Sequence, residues 1–304
     1  MAKVKFDVYE EVTAQIIAAL EKGVKPWECP WVSGVAGVPT RSNGEAYRGI
    51  NNLLLGLKAS VSGFRNPVWM TFKQAKDLGG MVRKGEKSSL VVKYGTYETA
   101  NDAAESEDSK KKTRGYLKSY RVFNVEQIDG LGDQFSTPEE TETFRTRPVE
   151  ELSHIAANMI EGMGVAYAEG GYKAFYSPKF DQVQMPKIEH FQSAERFYST
   201  LYHELCHATG HVKRCDRSKE KAGSKFGNAA YSQEELCAEI GAAFLGAQLG
   251  FEPGHIEDSA AYIASWLEVL RNDKRAIVRA AAAGQRAADY LMEAATAGEK
   301  EAAA

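Results

Sequence analysis

The residues best suited to chemistry lie in one short stretch, residues 201–211, which reads LYHELCHATGH and contains HELCH at 203–207. If the stretch is helical, His203 and His207 lie four residues apart on one face, and both imidazoles can reach a single cation. Glu204 lies about 100° around the helix from His203, where its carboxylate can take a proton from water. The pattern predicts a metal-dependent hydrolase with His203 and His207 as ligands, Glu204 as general base, and Zn²⁺ or another divalent metal as cofactor.

The surrounding residues favour a helix for this stretch. Phe197, Leu201, Leu205 and Ala208 form an apolar stripe at helical spacing, and Gly210 can end the helix. The alternative interpretation is an ordinary amphipathic helix with two partly buried histidines and no metal.

A catalytic zinc site also needs a third protein ligand and an open position for water. The next helical pattern, SQEELCAEIGAAFLG at residues 232–246, supplies glutamates for this role. Glu235 shares one side of that helix with Ala238, Ala242 and Gly246, and small side chains allow close approach to a neighbouring helix. We therefore predict that Glu235 points toward the two histidines and is the third ligand.

Other residues compete for these roles. Glu239, one turn further along, is predicted as a partner for a histidine N–H or as an alternative ligand, and Glu234 is a further alternative. Ser232 and Glu235 also fit a capping box, in which the carboxylate folds back on the helix start. His211 lies two residues short of the third histidine in longer zinc motifs, so we expect it to line the site.

Elements on both sides must position this site. Before it, the pattern predicts a helix and three short strands that resemble the sheet edge and substrate shelf preceding a metal helix, at residues 148–163, 166–168, 174–177 and 184–185. After it, the pattern predicts a loop and two helices, at residues 212–230, 233–249 and 256–291. The C-terminal part is therefore expected to be mostly helical with a small sheet.

The N-terminal part mixes helices and strands. Apolar spacing predicts a helix over residues 6–22 and a second short helix that Asn51 or Asn52 caps. The remaining predicted elements are a strand at 68–70, a helix capped by Thr71, a hairpin of 81–82 with 88–97, a flexible polar loop at about 99–113 and a strand at 118–123.

Length and charge indicate two domains in this chain of 304 residues. A Thr-, Pro- and Glu-rich stretch at residues 132–147 is the predicted linker between a domain at 1–131 and a domain at 148–304. Residues 1–130 contain 20 Lys and Arg against 15 Asp and Glu, whereas the remainder contains 18 against 26. We predict an α+β fold in which only the basic first domain meets a polyanion.

Aromatic and cationic residues alternate along the first domain. Single-strand binders combine cations that follow the backbone with aromatic rings that stack on bases, and amides add hydrogen bonds. The candidate DNA-binding residues are Trp27, Tyr47, Arg48, Asn51, Asn52, Trp69, Phe72, Lys73, Gln74, Arg83, Lys84 and Lys87. The alternative is that the aromatic residues form a core and the lysines form a solvated face.

The compartment is indicated by features that the sequence lacks. No apolar run approaches the roughly 18–20 residues of a membrane span, and the N-terminus lacks the apolar region of a signal peptide. The cysteines, Cys29, Cys206, Cys215 and Cys237, include no C-x-x-C pair, which argues against a disulfide framework. We expect a cytoplasmic protein with no membrane partner.

Several motifs together resemble a known family. YRGIN (47–51), WMTFKQAKDLGG (69–80), VRKGEKS (82–88) and YRVFNVEQI (120–128), followed by HELCHATGH and EELCAEIGAAFLG, resemble the ArdC-type antirestriction proteins of conjugative plasmids. The N-terminal part is similar to the single-stranded-DNA-binding region shared with TraC-type plasmid primases. The C-terminal part is similar to a zincin-like metallopeptidase domain.

This resemblance implies a protein that binds single-stranded DNA during conjugation and protects it from host restriction. It also implies a zinc-dependent peptidase-like domain, whose substrate would be a host restriction protein or another peptide, and it leaves open transfer to the recipient cell. The alternative is a DNA-binding protection protein whose metal site is structural or vestigial. A nuclease is a weaker hypothesis, because the acidic balance of residues 131–304 would repel phosphate.

Overall fold

The computed structural model of the protein describes residues 6–27, 38–99, 112–137, 147–217, 229–250 and 260–302. They form an α+β fold in which strands and short helices precede a mostly helical part, as the sequence predicts. The helices are α1 (Val8–Leu20), α2 (Ile50–Ser62), α3 (Phe72–Asp77), α4 (Val149–Met163), α5 (Ala194–Thr209), α6 (Ala229–Leu249), α7 (Ala260–Asn272) and α8 (Ala276–Ala302). The strands are β1 (Thr40–Arg41), β2 (Val68–Met70), β3 (Met81–Val82), β4 (Ser89–Thr99), β5 (Lys112–Asn124), β6 (Ile128–Asp129), β7 (Ala166–Glu169), β8 (Phe175–Ser177) and β9 (Gln182–Met185).

A four-stranded sheet with the order β1–β2–β5–β4 organises the N-terminal part. β1 and β2 are parallel, and the other neighbours are antiparallel. The base of β4 is the continuous apolar run Leu90, Val91 and Val92, and all three side chains are buried. Alternate side chains project from opposite faces of a strand, so both faces of the sheet are covered at this point. A separate antiparallel pair joins β3 to β6.

Side chains at the helix starts satisfy backbone N–H groups. The Asp7 carboxylate accepts hydrogen bonds at the start of α1, and Thr71 forms a capping box with Gln74 at the start of α3. The Ser193 hydroxyl accepts a hydrogen bond from the Arg196 N–H at the start of α5. These caps fix the first turn of each helix, including the helix that carries the two histidines of the HELCH motif.

The C-terminal part is a set of helices packed around α8, with a small sheet beside α5. α8 contacts both α4 and α6. A Cβ atom at Gly162 would lie only 2.1 Å from the carbonyl oxygen of Ala294, and one at Gly284 would lie 2.9 Å from the backbone nitrogen of Gly241. Glycine therefore lets these helices approach to backbone contact. The small sheet has the order β7–β9–β8, with β7 parallel and β8 antiparallel to β9.

The N-terminal and C-terminal parts share one apolar core. α1 packs on α7, and the Trp27 ring meets the Trp266 ring edge to face at 5.2 Å between centroids. The Thr13 hydroxyl donates a hydrogen bond to the Lys274 carbonyl. A single cluster of buried residues runs from α1 and α2 to α5, α6 and α8.

Three expectations about the elements are wrong. Residues 81–82 pair with β6 and not with β4, whose hairpin partner is β5. Neither Asn51 nor Asn52 caps α2, because both lie inside that helix, which begins after Gly49. The predicted long helix at 256–291 is broken after Asn272, where the Asp273 carboxylate accepts the Arg275 N–H and starts α8.

Parts of four predictions lie outside the described residues. These are residues 100–111 of the predicted loop at about 99–113, 138–146 of the predicted linker at 132–147, 218–228 of the predicted loop at 212–230 and 256–259 of the predicted helix at 256–291. Residues 99, 112 and 113 belong to β4 and β5. Among the helices of the described ranges, none combines the length and apolarity that a bilayer crossing requires.

Candidate metal centre

α5 presents both histidines of the HELCH motif to its neighbour α6. Phe197, Leu201 and Leu205 are buried in the apolar core, which fixes the rotation of the helix. The Nε2 atoms of His203 and His207 lie 3.0 Å apart, with the ring planes at 83°. The helix therefore aims two ring nitrogens at one point, as the four-residue spacing predicts.

α6 brings a carboxylate to the same point. Glu235 Oε2 lies 3.6 Å from His203 Nε2, and Glu235 Oε1 lies 3.5 Å from His207 Nε2. The two helices are in close contact here, since a Cβ atom at Gly241 would lie 2.8 Å from the Cys206 sulfur. Gly241 on α6 thus allows the close approach of the helix that places Glu235 opposite the histidines.

The capping-box alternative for Glu235 is wrong. α6 begins at Ala229, so Ser232 lies inside the helix and cannot be its N-cap. The Glu235 side chain is left to face His203 and His207.

The three ligand atoms fit a tetrahedral cation. With zinc ligands at about 2.0–2.2 Å from the metal, neighbouring ligands of a tetrahedron lie about 3.3–3.6 Å apart. The two Nε2 atoms lie 3.0 Å apart, and each has a different Glu235 oxygen nearby, Oε2 at 3.6 Å from His203 and Oε1 at 3.5 Å from His207. His203, His207 and Glu235 form a group whose ligand atoms all lie within 4.8 Å of one another. Two imidazoles and a carboxylate are a ligand set that leaves one tetrahedral position for water.

Glu234, which the sequence offered only as an alternative ligand, contacts the His207 ring nitrogen that faces away from the metal position. Glu234 Oε1 lies 3.3 Å from His207 Nδ1. Donation from Nδ1–H to this carboxylate leaves the Nε2 lone pair pointing at the metal position. Glu234 therefore fixes the tautomer and orientation of a ligand, and is not itself placed as a ligand.

Arg217 in turn fixes Glu234, and nothing in the sequence pattern singled it out. The buried guanidinium donates to Glu234 Oε2 from Nε at 3.1 Å and to Oε1 from Nη2 at 3.0 Å. It also donates to the Thr209 hydroxyl and the Cys206 carbonyl at the end of α5. Arg217 thus connects the end of the histidine helix to the start of α6.

The predicted role of Glu239 is only partly matched. Burial lowers the pKa of His203, but its contact with Glu235 and the charges of Glu239 and Glu204 raise it above the usual value. Glu239 thus acts on His203 through its charge, whereas the carboxylate that contacts a histidine Nδ1 is Glu234.

The charges of the site call for a cation. Burial lowers the pKa of His207, but its contacts with Glu234 and Glu235 raise it to about 10. Burial raises the pKa of Glu235, but the two histidines lower it well below its usual range. Glu234 and Glu235 are thus two buried, ionised carboxylates that face the histidines. A divalent cation can replace the protons on the histidines that otherwise balance these charges.

Glu204 lies next to the ligands on α5 and is buried, with 8% of its surface exposed. Its carboxylate is adjacent in sequence to His203, at the position that the H-E-x-x-H pattern gives to a general base. Tyr231 at the start of α6 also reaches the site, since its hydroxyl interacts with Glu235. Burial, together with the Glu235 charge, raises the pKa of Tyr231 far above its usual value, so the hydroxyl keeps its proton and can donate a hydrogen bond.

A second ionic cluster holds the segment after α5. Arg214 donates to both oxygens of Asp181 at 2.8 and 2.9 Å, and the Tyr176 hydroxyl donates to the same carboxylate at 2.8 Å. Arg214 also donates to the Ala208 carbonyl. His211, which we expected to line the metal site, lies 3.9 Å from Asp181. The small sheet is thereby tied to the end of the histidine helix.

The structure corrects several DNA-binding expectations in the N-terminal part. Trp27, Trp69, Tyr47 and Asn52 are buried, so no ring face or amide of theirs is open to a nucleotide. Asn51 exchanges two hydrogen bonds with the backbone of Val92 and pins α2 to β4.

Other candidates remain exposed, though some are engaged. Arg48 pairs with Asp289 on α8, and Arg83 pairs with Asp129 and Glu86. The Gln74 side chain completes the capping box of α3. The remaining candidates are exposed, and none of the lysines among them forms an ion pair with a described residue: Phe72, Lys73, Lys84 and Lys87.

Two family models match the chain. Residues 6–123 match the N-terminal domain of the anti-restriction factor ArdC, and residues 154–283 match a zincin-like metallopeptidase. The crystal structure of the metal-free antirestriction protein ArdC from plasmid R388 is similar along nearly the whole length. It is 44% identical, with a TM-score of 0.79 and coverage of 96% of this chain and 99% of that one. The chain belongs to the ArdC family of antirestriction proteins.

Further relatives extend this family membership. A Mn(II)-bound structure of the same R388 protein is 43% identical, with a TM-score of 0.76 and coverage of 95% of this chain and 98% of that one. Protein y4eC of Sinorhizobium fredii (strain NBRC 101917 / NGR234) is 38% identical, covering 94% of this chain and 91% of that protein. The DNA primase TraC of Escherichia coli is 35% identical over 96% of this chain, which spans 28% of the primase.

Proposed function

We propose that this protein is an antirestriction factor that binds single-stranded DNA and carries a metal-dependent peptidase site. The observation that carries the proposal is the convergence of His203, His207 and Glu235 on one point beside Glu204. Membership of the ArdC family supports the antirestriction role, and the zincin-like match supports hydrolysis of a peptide bond. The substrate would be a host restriction protein or another peptide that meets the incoming DNA.

The metal is proposed to be Zn²⁺ or another divalent ion, such as the Mn(II) of the R388 relative. A divalent cation in such a site supplies Lewis-acid polarisation of a carbonyl and makes water more acidic. His203 and His207 would hold it through Nε2 and Glu235 through a carboxylate oxygen. Glu234 keeps the His207 ring in the required orientation, since it accepts from Nδ1.

The remaining chemistry belongs to residues of this chain. The Glu204 carboxylate would accept a proton from the attacking water and pass it to the leaving amine nitrogen. The protonated Tyr231 hydroxyl, beside Glu235, would turn its single O–H from that carboxylate to the carbonyl oxygen, where negative charge develops. The apolar residues of α5 lie in the core, so the helix is rigid and the groups stay in place.

The DNA-binding role is assigned to residues 1–131 and the metal site to residues 148–304. The match to the N-terminal ArdC domain and the similarity to the TraC primase support this division. The N-terminal part is also the more basic part of the chain. We place the protein in the cytoplasm, where DNA entering by conjugation meets restriction enzymes.

The test is conjugative transfer of a plasmid into a restricting recipient, in the presence of wild-type protein or Glu204→Gln. The proposal predicts that Glu204→Gln loses protection while it keeps bound metal and single-stranded DNA binding. Equal protection by Glu204→Gln and the wild type would refute a role for hydrolysis. It would favour the alternative, in which DNA coverage alone protects and the metal is structural.

A further inference from the structure

The β4–β5 hairpin carries a row of exposed residues that the metal site does not use. In its register, Gly95 lies opposite Tyr116 and Lys93 lies opposite Lys118. Directly paired residues project from the same face, and residues two apart on a strand also share a face. Lys93, Tyr116, Lys118 and Tyr120 therefore share one face, which we call the tyrosine face. Along β5 this face alternates ring, ammonium and ring.

The tyrosine face is a rigid continuation of the core. At the base of the hairpin the same face carries Val91 and Val122, which pack with Tyr47, Leu55 and Trp69. Further along the hairpin this packing is absent among the described residues, and the exposed fractions of the Tyr116 and Tyr120 side chains are 36% and 43%. The buried base holds the strands in register, so the exposed side chains are presented at fixed spacing.

Gly95 sets the position of the Tyr116 ring. A Cβ atom at position 95 would lie 2.5 Å from the Tyr116 Cζ and hydroxyl oxygen, so the ring lies directly over the glycine backbone. The Lys118 Nζ lies over the same ring, 5.2 Å from its centroid. The ring covers the glycine with one side, so a base that stacks on the other side would meet the Lys118 ammonium there, and this flexible side chain would move aside toward the phosphate.

Charge favours an anionic partner for this face. On this face, positions 89, 91, 93 and 95 of β4 and 116, 118, 120 and 122 of β5 include Lys93 and Lys118 and no aspartate or glutamate. The opposite face of the hairpin base is covered, because Leu90 and Val92 belong to the main apolar core. A polyanion at the hairpin would therefore meet lysines and exposed rings together on one side.

We propose that the tyrosine face is the surface that binds single-stranded DNA. Bases stack on Tyr116 and Tyr120, and the ammonium groups of Lys93 and Lys118 contact the phosphates. Stacking of this kind needs unpaired bases, because a base inside a duplex has no free ring face. The inference rests on the DNA binding proposed above. Tyr116 and Tyr120 take the stacking role that the sequence had suggested for the buried tryptophans.

The test is fluorescence anisotropy of a labelled single-stranded oligonucleotide with the full-length protein, across a salt series. Tyr116→Ala and Tyr120→Ala should each weaken binding by at least about fivefold, whereas the phenylalanine variants should bind nearly as the wild type does. Gly95→Ala should also weaken binding, because it displaces the Tyr116 ring. Lys93→Gln combined with Lys118→Gln should reduce the slope of log affinity against log salt by about 1.4.

Two variants serve as controls. Tyr94 is exposed on the opposite face of the same hairpin, where it pairs with Leu117, so Tyr94→Ala should bind normally. Phe72→Ala tests the exposed part of α3, and it should also bind normally. Thermal unfolding of each variant checks that the fold is retained.

Each outcome separates the two proposals. Wild-type binding that Tyr116→Ala and Tyr120→Ala leave unchanged would overturn the tyrosine face while leaving DNA binding intact. A loss confined to Phe72→Ala would do the same and would move the site to α3. No binding by the wild type would overturn the DNA-binding part of the proposed function, and this inference with it.

Discussion

Arg217 donates two hydrogen bonds to Glu234, one to each carboxylate oxygen, at 3.1 and 3.0 Å. The same carboxylate lies 3.3 Å from His207 Nδ1. A buried guanidinium therefore holds the carboxylate that orients a metal ligand. The order of the groups is Arg217, Glu234, His207 and then the metal position, and each depends on the one before it.

Replacing Glu234 should weaken metal binding without removing a ligand. Glu234→Gln keeps the shape of the side chain but loses the charge that holds Nδ1–H, so we expect metal affinity to fall by about 10–100-fold. The matched control is Glu239→Gln, one turn away, which should change affinity much less. Titration calorimetry with Zn²⁺ measures both affinities. A larger loss for Glu239→Gln than for Glu234→Gln would show that Glu239, and not Glu234, orients the histidine ligand.

Removing Arg217 should cost stability as well as metal affinity. Arg217→Met leaves Glu234 buried without its cation, and breaking a buried ion pair costs about 3–5 kcal/mol. The double variant Arg217→Met with Glu234→Gln removes both charges and leaves no unpaired one. Its loss of unfolding free energy should therefore be smaller than the sum of the losses in the two single variants. Urea unfolding of the four proteins gives the coupling energy, and strict additivity would show that the pair does not act as a unit.

The Asp181–Arg214 contact should make stability depend on pH in acid. Burial raises the pKa of Asp181, but the hydrogen bonds from Arg214 and Tyr176 lower it below the usual value. The stabilisation is therefore complete above the unfolded pKa of about 3.9 and is lost as the pH falls through the lower folded pKa. Asp181→Asn should cost about 2–3 kcal/mol at pH 7, and urea unfolding should show this difference shrinking at about pH 3. A difference that stays constant with pH would contradict the assignment.

The contact between α4 and α8 should not tolerate a methyl group at Gly162. Its Cβ would lie 2.1 Å from the Ala294 carbonyl oxygen, and the obstacle is backbone. Gly162→Ala should therefore destabilise the protein by about 1–3 kcal/mol, although alanine is the better helix former. Glu161→Ala, at the exposed neighbouring position, is the control and should be nearly neutral. A gain in melting temperature for Gly162→Ala would show that the helices can separate without loss.

The parts of the site that local spacing determines were predictable from the sequence. His203 and His207 share a helix face by periodicity. Glu235 was predicted from the side it shares with Ala238, Ala242 and Gly246, although the close contact with Cys206 is at Gly241. The roles of Glu234 and Arg217 were not predictable, because they depend on how the segment after α5 returns to α6. Arg217 lies in an irregular segment, where no periodicity relates it to the histidines.

In the N-terminal part, the sequence could not show which aromatic residues are exposed. Composition identified aromatic and cationic residues, but it could not separate buried from exposed rings. Trp27 and Trp69 are in the core because α7 and α2 cover them. Tyr120 lies in the strand predicted at 118–123, but Tyr116 precedes it, because the strand begins earlier than the sequence pattern predicts, at Lys112. Strand pairing had to be known before these residues could be placed on one face.

The metal centre is tested most directly by titration calorimetry of metal-stripped protein with Zn²⁺ and with Mn²⁺. The wild type and Glu204→Gln should each bind one ion per chain with similar affinity, since Glu204 is assigned to proton transfer. His203→Ala should bind no ion at this site, since it loses a ligand. Binding by His203→Ala equal to that of the wild type would contradict the assignment of His203, His207 and Glu235 as the metal site.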